Sequence, residues 1–152
     1  MNGTKIISNI VTERLKEHIT HEQNGTNIML VIQKQLIASD LAGNQNRLTM
    51  PYSQLQTLDF LTPDECTHLD TRCYHEIDVP LLGPTLKLYE QPMTKLVRWM
   101  VNSTESFVLR TGWNDFVLEN KNDLKIGSKI QVWSFRKNQQ LCFAIAVVER
   151  AD

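Results

Sequence analysis

The chain of 152 residues has little cysteine, no long hydrophobic run and no excess of charge of either sign. Its three cysteines are too few and too irregularly spaced for a disulfide scaffold, which favours a reducing compartment. Charged side chains interrupt the apolar positions of the first thirty residues, so the sequence predicts neither a secretory signal nor a membrane span. The formal net charge of −1 offers no general attraction to a polyanion. We expect a soluble intracellular protein in which any nucleic-acid contact depends on local charge.

Motifs of catalysis are also lacking. The sequence contains no glycine turn suited to an oxyanion hole, no nucleophile elbow around a serine and no phosphate-cradling loop. Cysteine and histidine lie close together in Cys66 with His68 and in Cys73 with His75, but neither pair has these supporting features. We therefore expect no enzyme activity, no cofactor and no small-molecule substrate.

The same four residues, Cys66, His68, Cys73 and His75, form a cluster of potential zinc ligands. Structural zinc sites usually pair ligands that are separated by about two to four residues. The Cys-x-His pairs are closer than that and would converge poorly on a tetrahedral ion. The sequence favours an ordinary surface loop with partly buried thiols, and no metal.

The chain has enough apolar residues, 41%, for one core. We predict an N-terminal helix and linker over residues 1–26, followed by one domain over residues 27–150. Apolar residues recur at helical spacing over residues 4–18, and they are Ile6, Ile7, Ile10, Val11 and Leu15, with Ile19 just beyond. This stripe favours packing of the helix on the domain. The alternative is a homo- or hetero-oligomer that forms through the helix.

Short aliphatic runs from Asn27 onward predict mainly β structure. Residues 29–40 and LTMP (48–51) predict a hairpin-like pair of strands with a projecting loop, and Pro51 favours a helical turn over residues 52–58. Prolines interrupt every periodicity in residues 59–93, where Thr62 begins a capped-helix pattern. Within that region IDVPLL and TLKLYE predict two short strands.

The pattern is clearer after Met93. KLVRWMVN and SFVLRTGW predict two strands joined by a polar tip, and a second helix follows at about 113–120. KIQVWSFRK and QLCFAIAVV predict a tight hairpin around Asn138 and Gln139. About seven strands with two short helices describe a compact β-barrel or folded sheet. The aromatic residues of these apolar strands are predicted to be core residues rather than stacking platforms for single-stranded nucleic acid, and they are Trp99, Trp133, Phe135 and Phe143.

Two polar loops have the composition of a surface that reads a duplex. The tip at 102–105 supplies amide and hydroxyl groups that neither strand requires, and the loop at 39–47 has the same design. Small polar side chains can read base edges while nearby cations neutralise phosphates. The cations beside the two loops are Lys34, Arg47, Lys95, Arg98 and Arg110. Gly112 permits the chain to bend from strand into helix, and Trp113 is expected to lie on the sheet and so aim the tip.

A succession of motifs resembles the plant B3 DNA-binding domain over residues 29–149. It consists of Lys34, Ser39-Asp40, Leu48, Pro51, NSTESFVLRTGWNDFV (102–117) and LKIGSKIQVWSF (124–135). The resemblance implies a mainly β (α+β) fold, a seven-stranded open β-barrel or pseudobarrel with two short flanking helices, to which this chain adds its N-terminal helix. The longer segment at 59–93 is an insertion similar to those of one plant-specific branch. Ser128 stands where many members have Asp, and the arms contain fewer Arg and Lys than a strong DNA reader needs.

The resemblance further implies that two neighbouring arms, residues 39–47 and 98–106, enter the major groove of double-stranded DNA. The candidate DNA-binding residues are Lys34, Ser39, Asn44, Gln45, Asn46, Arg47, Lys95, Arg98, Asn102, Ser103, Thr104 and Ser106. We therefore expect a sequence-specific transcription regulator of the nucleus that does not contact membranes. The alternative is a protein-interaction module that keeps the barrel but has lost useful DNA affinity, because acidic residues crowd the insertion.

Overall fold

The computed structural model describes residues 2–70 and 75–151, and the side chains of residues 9–70 and 75–151. The helices are α1 (Asn2–His21), α2 (Ala38–Leu41), α3 (Pro63–His68) and α4 (Trp113–Glu119). The strands are β1 (Thr26–Gln35), β2 (Arg47–Pro51), β3 (Ile77–Leu82), β4 (Leu88–Val101), β5 (Thr104–Arg110), β6 (Lys129–Lys137) and β7 (Gln140–Glu149). A single 3-10 turn, Tyr52–Gln54, follows β2, so the helical turn predicted at 52–58 is shorter than expected.

All seven strands belong to one mixed sheet with the order β1-β6-β7-β3-β4-β5-β2. Every neighbouring pair is antiparallel except β3 with β7, which run parallel. β1 and β2 are the two edges, and in the described residues no ladder of hydrogen bonds joins them. The sheet is therefore an open barrel, and the predicted fold class is confirmed.

The predicted hairpin-like pairing of residues 29–40 with 48–51 is wrong. β1 pairs with β6, where Leu30 lies opposite Trp133, whereas β2 pairs with β5, where Met50 lies opposite Phe107. Apolar alternation identifies a strand but carries no information about its partner, which here is distant in the sequence. The two strands that the sequence suggests as neighbours are in fact the two edges of the sheet.

The second half of the predicted strand TLKLYE, from Leu88, and nearly all of KLVRWMVN belong to one long strand, β4. Val79 lies opposite Thr94 and Leu81 lies opposite Tyr89, so a single residue of β3 faces residues 90–93 of β4. Pro92 lies in this bulge, where the ladder needs no backbone donor. The strand therefore continues through a proline that its sequence suggests is a boundary.

Helix α3 begins at a pair of residues that cap its first turn. Thr62 Oγ1 accepts a hydrogen bond from the Glu65 amide at 3.2 Å, and Glu65 Oε1 accepts one from the Thr62 amide at 2.8 Å. This reciprocal capping box fixes the start of α3, as the sequence predicts.

No helix in residues 2–70 and 75–151 is both long and apolar enough to cross a membrane.

Apolar side chains are buried on both faces of the sheet. The main core fills the inside of the barrel and includes Leu48, Leu96, Phe107, Leu109, Trp113, Phe116 and Phe143. A second core lies on the outer face of β6 and β7, where Leu15 and Ile19 of α1 pack on Trp133 and Phe135. α1 thus packs on the domain, as the sequence favours. Trp99 is not a core residue, because it is half-exposed on β4.

The insertion is fastened to the barrel through Arg136 of β6. Its guanidinium donates to both carboxylate oxygens of Glu65, at 2.6 and 2.9 Å, and to the carbonyl oxygen of Phe60 at 2.7 Å. Burial acts to raise the pKa of Glu65, but the hydrogen bonds from Arg136 and Thr62 outweigh it and lower the pKa. Charge-assisted hydrogen bonds therefore attach residues 60–65 to β6.

Candidate nucleic-acid interface

Lys34 lies at the open seam of the barrel. Its ammonium donates to Asp40 Oδ1 at 3.1 Å and to the carbonyl oxygen of Thr49 at 2.8 Å, and so links edge strand β1 to edge strand β2. The side chains of Lys34 and Asp40 are 8% and 1% exposed. An ammonium with two internal acceptors and so little exposed surface fits a structural role at the base of the first arm, residues 39–47.

The first arm is held by the beginning of α4. Trp113 Nε1 donates to the carbonyl oxygen of Asp40 at 2.7 Å, and Asn114 Nδ2 donates to that of Gly43, also at 2.7 Å. Asn46 Oδ1 accepts from the backbone amide of Asn114 at 2.9 Å. The Gly112-Trp113 pair therefore positions the first arm, whereas the sequence suggests that it aims the tip at 102–105.

The sequence of the Gly112 turn explains why Asn46 is needed. Gly112 is the N-cap residue of α4, with φ 74°, and has no side chain that could accept from the first helical amides. Asn46 provides that acceptor from the arm. A Cβ at position 112 would lie 3.0 Å from Cγ of Pro92, so the turn also requires the close approach that glycine permits. The side chains that remain exposed on the arm are Ser39, Asn44 and Gln45.

The second arm ends in a two-residue turn. Val101 pairs with Thr104, and the intervening Asn102 and Ser103 have φ values of 51° and 65°. Positive φ at both central residues is what a type I′ hairpin requires. The predicted four-residue tip is thus shorter, since Thr104 already belongs to β5. Asn102, Ser103 and Thr104 are exposed, whereas Ser106 is buried and donates to the carbonyl oxygen of Thr104 at 3.4 Å.

Between the arms lies the outer face of β2, β5 and β4. Arg47, Arg110 and Lys95 are paired across these three strands and form one cross-strand row, which we call the basic row. The neighbouring row of leucines, at 48, 109 and 96, is fully buried in the main core. Because successive side chains of a strand point to opposite faces, the basic row points away from the core.

Trp99 is the residue of this face that sequence reasoning missed. It lies on the same face of β4 as Lys95, and the guanidinium of Arg110 lies 5.0 Å from the centre of its ring. Val97 and Val108, a cross-strand pair between them, are buried. The signal that could have found Trp99 is the two-residue period of β4, which separates it from the core residue Leu96.

Arg98 points to the opposite face from the basic row. It pairs with Phe107 of the main core, and its guanidinium lies 5.5 Å from the centre of the Tyr52 ring and forms an ion pair with Glu105. Burial acts to lower the pKa of Arg98, but the hydrogen bond to Glu105 and nearby charges raise it, while burial raises the pKa of Tyr52 to about 12. The structure therefore does not bring Arg98 together with Arg47 and Lys95.

Carboxylates already lie beside two cations of the basic row. Lys95 forms an ion pair with Asp78 of β3, and Arg110 Nε lies 3.7 Å from an oxygen of Glu76. Within the described part of the chain, Arg47 has no ion-pair partner. The positive charge of this face is thus smaller than its residue content suggests.

The two arms leave opposite ends of β5. The first arm ends at Arg47, opposite Arg110, whereas the second arm turns just before Thr104. At about 3.4 Å per residue, the six steps from 104 to 110 separate the arms by about 20 Å at their bases. The two loops are therefore not immediate neighbours, although the sequence predicts that they are.

The cysteine and histidine cluster is only partly described. Cys66 is exposed, and the rings of His68 and His75 stack with their centres 4.7 Å apart. His68 Nε2 donates to the carbonyl oxygen of Glu76 at 2.9 Å. Cys73 lies outside the described residues, and among the residues that are described no three metal-ligating side chains form a group. The expectation of no metal stays a prediction.

Comparisons with known proteins agree with the resemblance that the sequence shows. A family model described as "B3 domain-containing protein At2g31720-like" matches residues 8–149. Two Arabidopsis thaliana relatives are the B3 domain-containing proteins At2g31720 and At2g32645. The first is 33% identical over 133 residues, which is 85% of this chain and 42% of the relative. The second is 35% identical over 131 residues, which is 81% of this chain and 67% of the relative.

The chain thus spans less than half the length of At2g31720. Among solved structures, a chain of the Arabidopsis FUS3-DNA complex superposes with a TM-score of 0.50 at 19% identity, covering 82% of this chain and 100% of that one. At this level of identity the likeness concerns the fold. Because the family model matches nearly the whole chain and the relatives are about one third identical, this protein belongs to the family of At2g31720-like B3 domain-containing proteins.

Proposed function

We propose that this protein binds double-stranded DNA sequence-specifically and regulates transcription in the nucleus, with no catalytic step and no cofactor. The observation that carries the proposal is the basic row, three cations on one outward face between two polar arms. Membership of the B3 domain family supports it, and so does the likeness of the fold to a protein solved in complex with DNA.

In this proposal the basic row contacts phosphates. Arg47, Arg110 and Lys95 lie side by side across adjacent strands, and cations in such a row can follow a sugar-phosphate backbone. Trp99 holds the Arg110 guanidinium over the sheet by a cation–π contact. Trp99 is an addition to the residues that the sequence suggests, whereas Arg110 is one of the cations that the sequence already places beside the loops.

The exposed side chains of the arms read base edges. Amide and hydroxyl groups at Ser39, Asn44, Gln45, Asn102, Ser103 and Thr104 are free of the scaffold contacts described above. Such groups donate to and accept from the edges of base pairs in the major groove. The separation of about 20 Å between the arms would place one at each side of the groove.

Four predicted site residues receive a positioning role instead. Lys34 and Asn46 hold the first arm, and Ser106 lies beneath the second arm. Arg98 holds Glu105 and Tyr52 on the core side of the same hairpin. Their loss would act on DNA binding through the shape of the arms.

The test begins with selection of bound duplexes from a random pool, followed by affinity measurements from about 50 to about 200 mM salt. We expect Arg47→Ala and Arg110→Ala each to weaken binding and to reduce the slope of log affinity against log salt by about 0.9, because each removes one phosphate contact. Arg150→Ala is the matched control, since Arg150 pairs with Asp123 on another part of the molecule. Equal slopes for all three variants would assign the phosphate contacts elsewhere.

A protein-interaction module is the second candidate function. The observation that favours it is the internal pairing of Lys95 and Arg110, which reduces the charge available to a duplex. This candidate predicts no enrichment from the random pool and no dependence of binding on salt. Association through α1 belongs to the same candidate, and measurement of the molecular mass in solution tests it.

A further inference from the structure

We propose that Glu76 and Asp78 are internal competitors of DNA phosphate, which hold the cations of the basic row in the free protein and limit its affinity for any duplex. The inference rests on the proposed function and concerns how the same face is regulated. It assigns a role to two acidic residues within the segment 59–93 that the proposed DNA contacts do not use.

The register of the sheet places one carboxylate in line with the cations. Asp78 of β3 lies opposite Lys95 of β4, Lys95 lies opposite Arg110 of β5, and Arg110 lies opposite Arg47 of β2. The basic row therefore continues onto a fourth strand, where it ends in an acid. A phosphate that approaches Lys95 meets the position that the Asp78 carboxylate already occupies.

Glu76 completes the arrangement from just before β3. Its carboxylate lies 3.7 Å from Nε of Arg110, the central cation of the row. Two carboxylates thus accompany three cations, which leaves a formal charge of +1 on a surface that would otherwise carry +3. Arg47 alone is available to a phosphate without first losing an internal partner among the described residues.

These pairs are exposed, unlike the structural ion pairs of the protein. The side chains are 30% and 54% exposed in Lys95–Asp78, and 42% and 38% exposed in Arg110–Glu76. Exposed ion pairs contribute little to stability and exchange partners readily. The buried Lys34–Asp40 pair cannot exchange in this way. The arrangement therefore fits competition with phosphate better than support of the fold.

The test compares the wild-type chain with Glu76→Gln/Asp78→Asn for binding to a random-sequence duplex. Glu119→Gln/Glu149→Gln is the matched control, because it removes two carboxylates that are paired with Lys87 and Lys129 away from this face. We expect the first double variant to bind about tenfold more tightly at about 50 mM salt and to show a steeper slope of log affinity against log salt, since cations that are no longer shared with carboxylates release more counterions on contact with phosphate. The control should change the affinity by less than about twofold.

Three outcomes overturn the inference. If the wild type binds duplex DNA and the variant binds no more tightly, the carboxylates do not compete and only this inference fails. An equal gain in the control would assign the effect to net charge. If neither the wild type nor any variant binds a duplex at low salt, the proposed function fails as well. Should the double variant not fold, Glu76→Gln alone carries the test, because Glu76 precedes the strand, and a gain of about threefold is expected.

Discussion

At the scale of single residues, the Lys34–Asp40 pair is a buried ion pair at the open seam of the barrel. Both charges are almost fully buried, and the same Lys34 ammonium also donates to Thr49 of β2, the edge strand with which β1 shares no ladder. A buried pair of this kind contributes modestly to stability when it is complete, because desolvation offsets the attraction. Removal of one partner is different, since it leaves the other charge buried without compensation.

We predict that Asp40→Asn lowers the free energy of unfolding by about 3 kcal/mol, because the Lys34 ammonium then keeps only the Thr49 carbonyl and a neutral amide as acceptors. Urea denaturation followed by tryptophan fluorescence measures the change. Glu119→Gln, which breaks the exposed pair with Lys87, serves as the control and should leave the midpoint unchanged. Equal losses in the two variants would show that the Lys34–Asp40 pair is no more important than a surface contact.

At the scale of elements, α4 supports the first arm as well as the core. Its first turn donates three hydrogen bonds to residues of the loop, from the Trp113 ring and from the side chain and backbone of Asn114. Gly112 has no side chain that could cap α4, and Asn46 of the loop supplies the acceptor instead. Its φ of 47° lies in the left-handed region, which asparagine adopts more readily than most residues. The arm and the helix should therefore lose order together.

We predict that Asn46→Ala lowers the free energy of unfolding by about 1 to 2 kcal/mol, because it removes a helix-cap acceptor and places alanine in a left-handed conformation. Asn44→Ala, two residues away on the exposed part of the arm, should cause no comparable loss. Thermal and urea denaturation of both variants check this. A similar effect of both substitutions would contradict the capping role of Asn46.

Elements that depend on local signals could be predicted from the sequence. The capping box at Thr62 and the turn at Asn138 and Gln139 both formed where the residues indicate, because each is determined within a few positions. The pairing of β1 and β2 could not be predicted, since their partners lie far away along the chain. The same holds for the site. The exposed arms follow from polar composition, whereas the Lys95–Asp78 pair joins residues 17 positions apart.

At the scale of the whole molecule, α1 covers one part of the outer surface of the sheet and leaves another part exposed. α1 covers the outer surface of β6 and β7 and buries Leu15 and Ile19 there, while the outer surface of β2, β5 and β4 carries the basic row. The three cations of the basic row therefore lie on strands that α1 leaves uncovered. The strands that α1 covers and the strands that carry the contacts proposed for DNA are therefore different.

We predict that Ile19→Ala lowers the free energy of unfolding by about 3 kcal/mol, because Ile19 is fully buried against the second core. The affinity for a selected duplex, measured at a temperature where the variant remains folded, should stay at the wild-type value. Thr20→Ala, an exposed position on the same helix, is the control for stability. A loss of affinity without a loss of structure would connect α1 to the DNA-binding face.

The turn at Asn102 and Ser103 has a consequence for divergence among relatives. Both positions require a left-handed backbone, which restricts the side chains that can replace them mainly to Gly, Asn and Asp. Asn44 and Gln45 in the other loop have no positive φ, so their backbone does not impose this restriction. If the proposed function holds, relatives with other target sequences should differ more at positions 44 and 45 than at the hairpin turn, where the left-handed backbone limits the residues that fit.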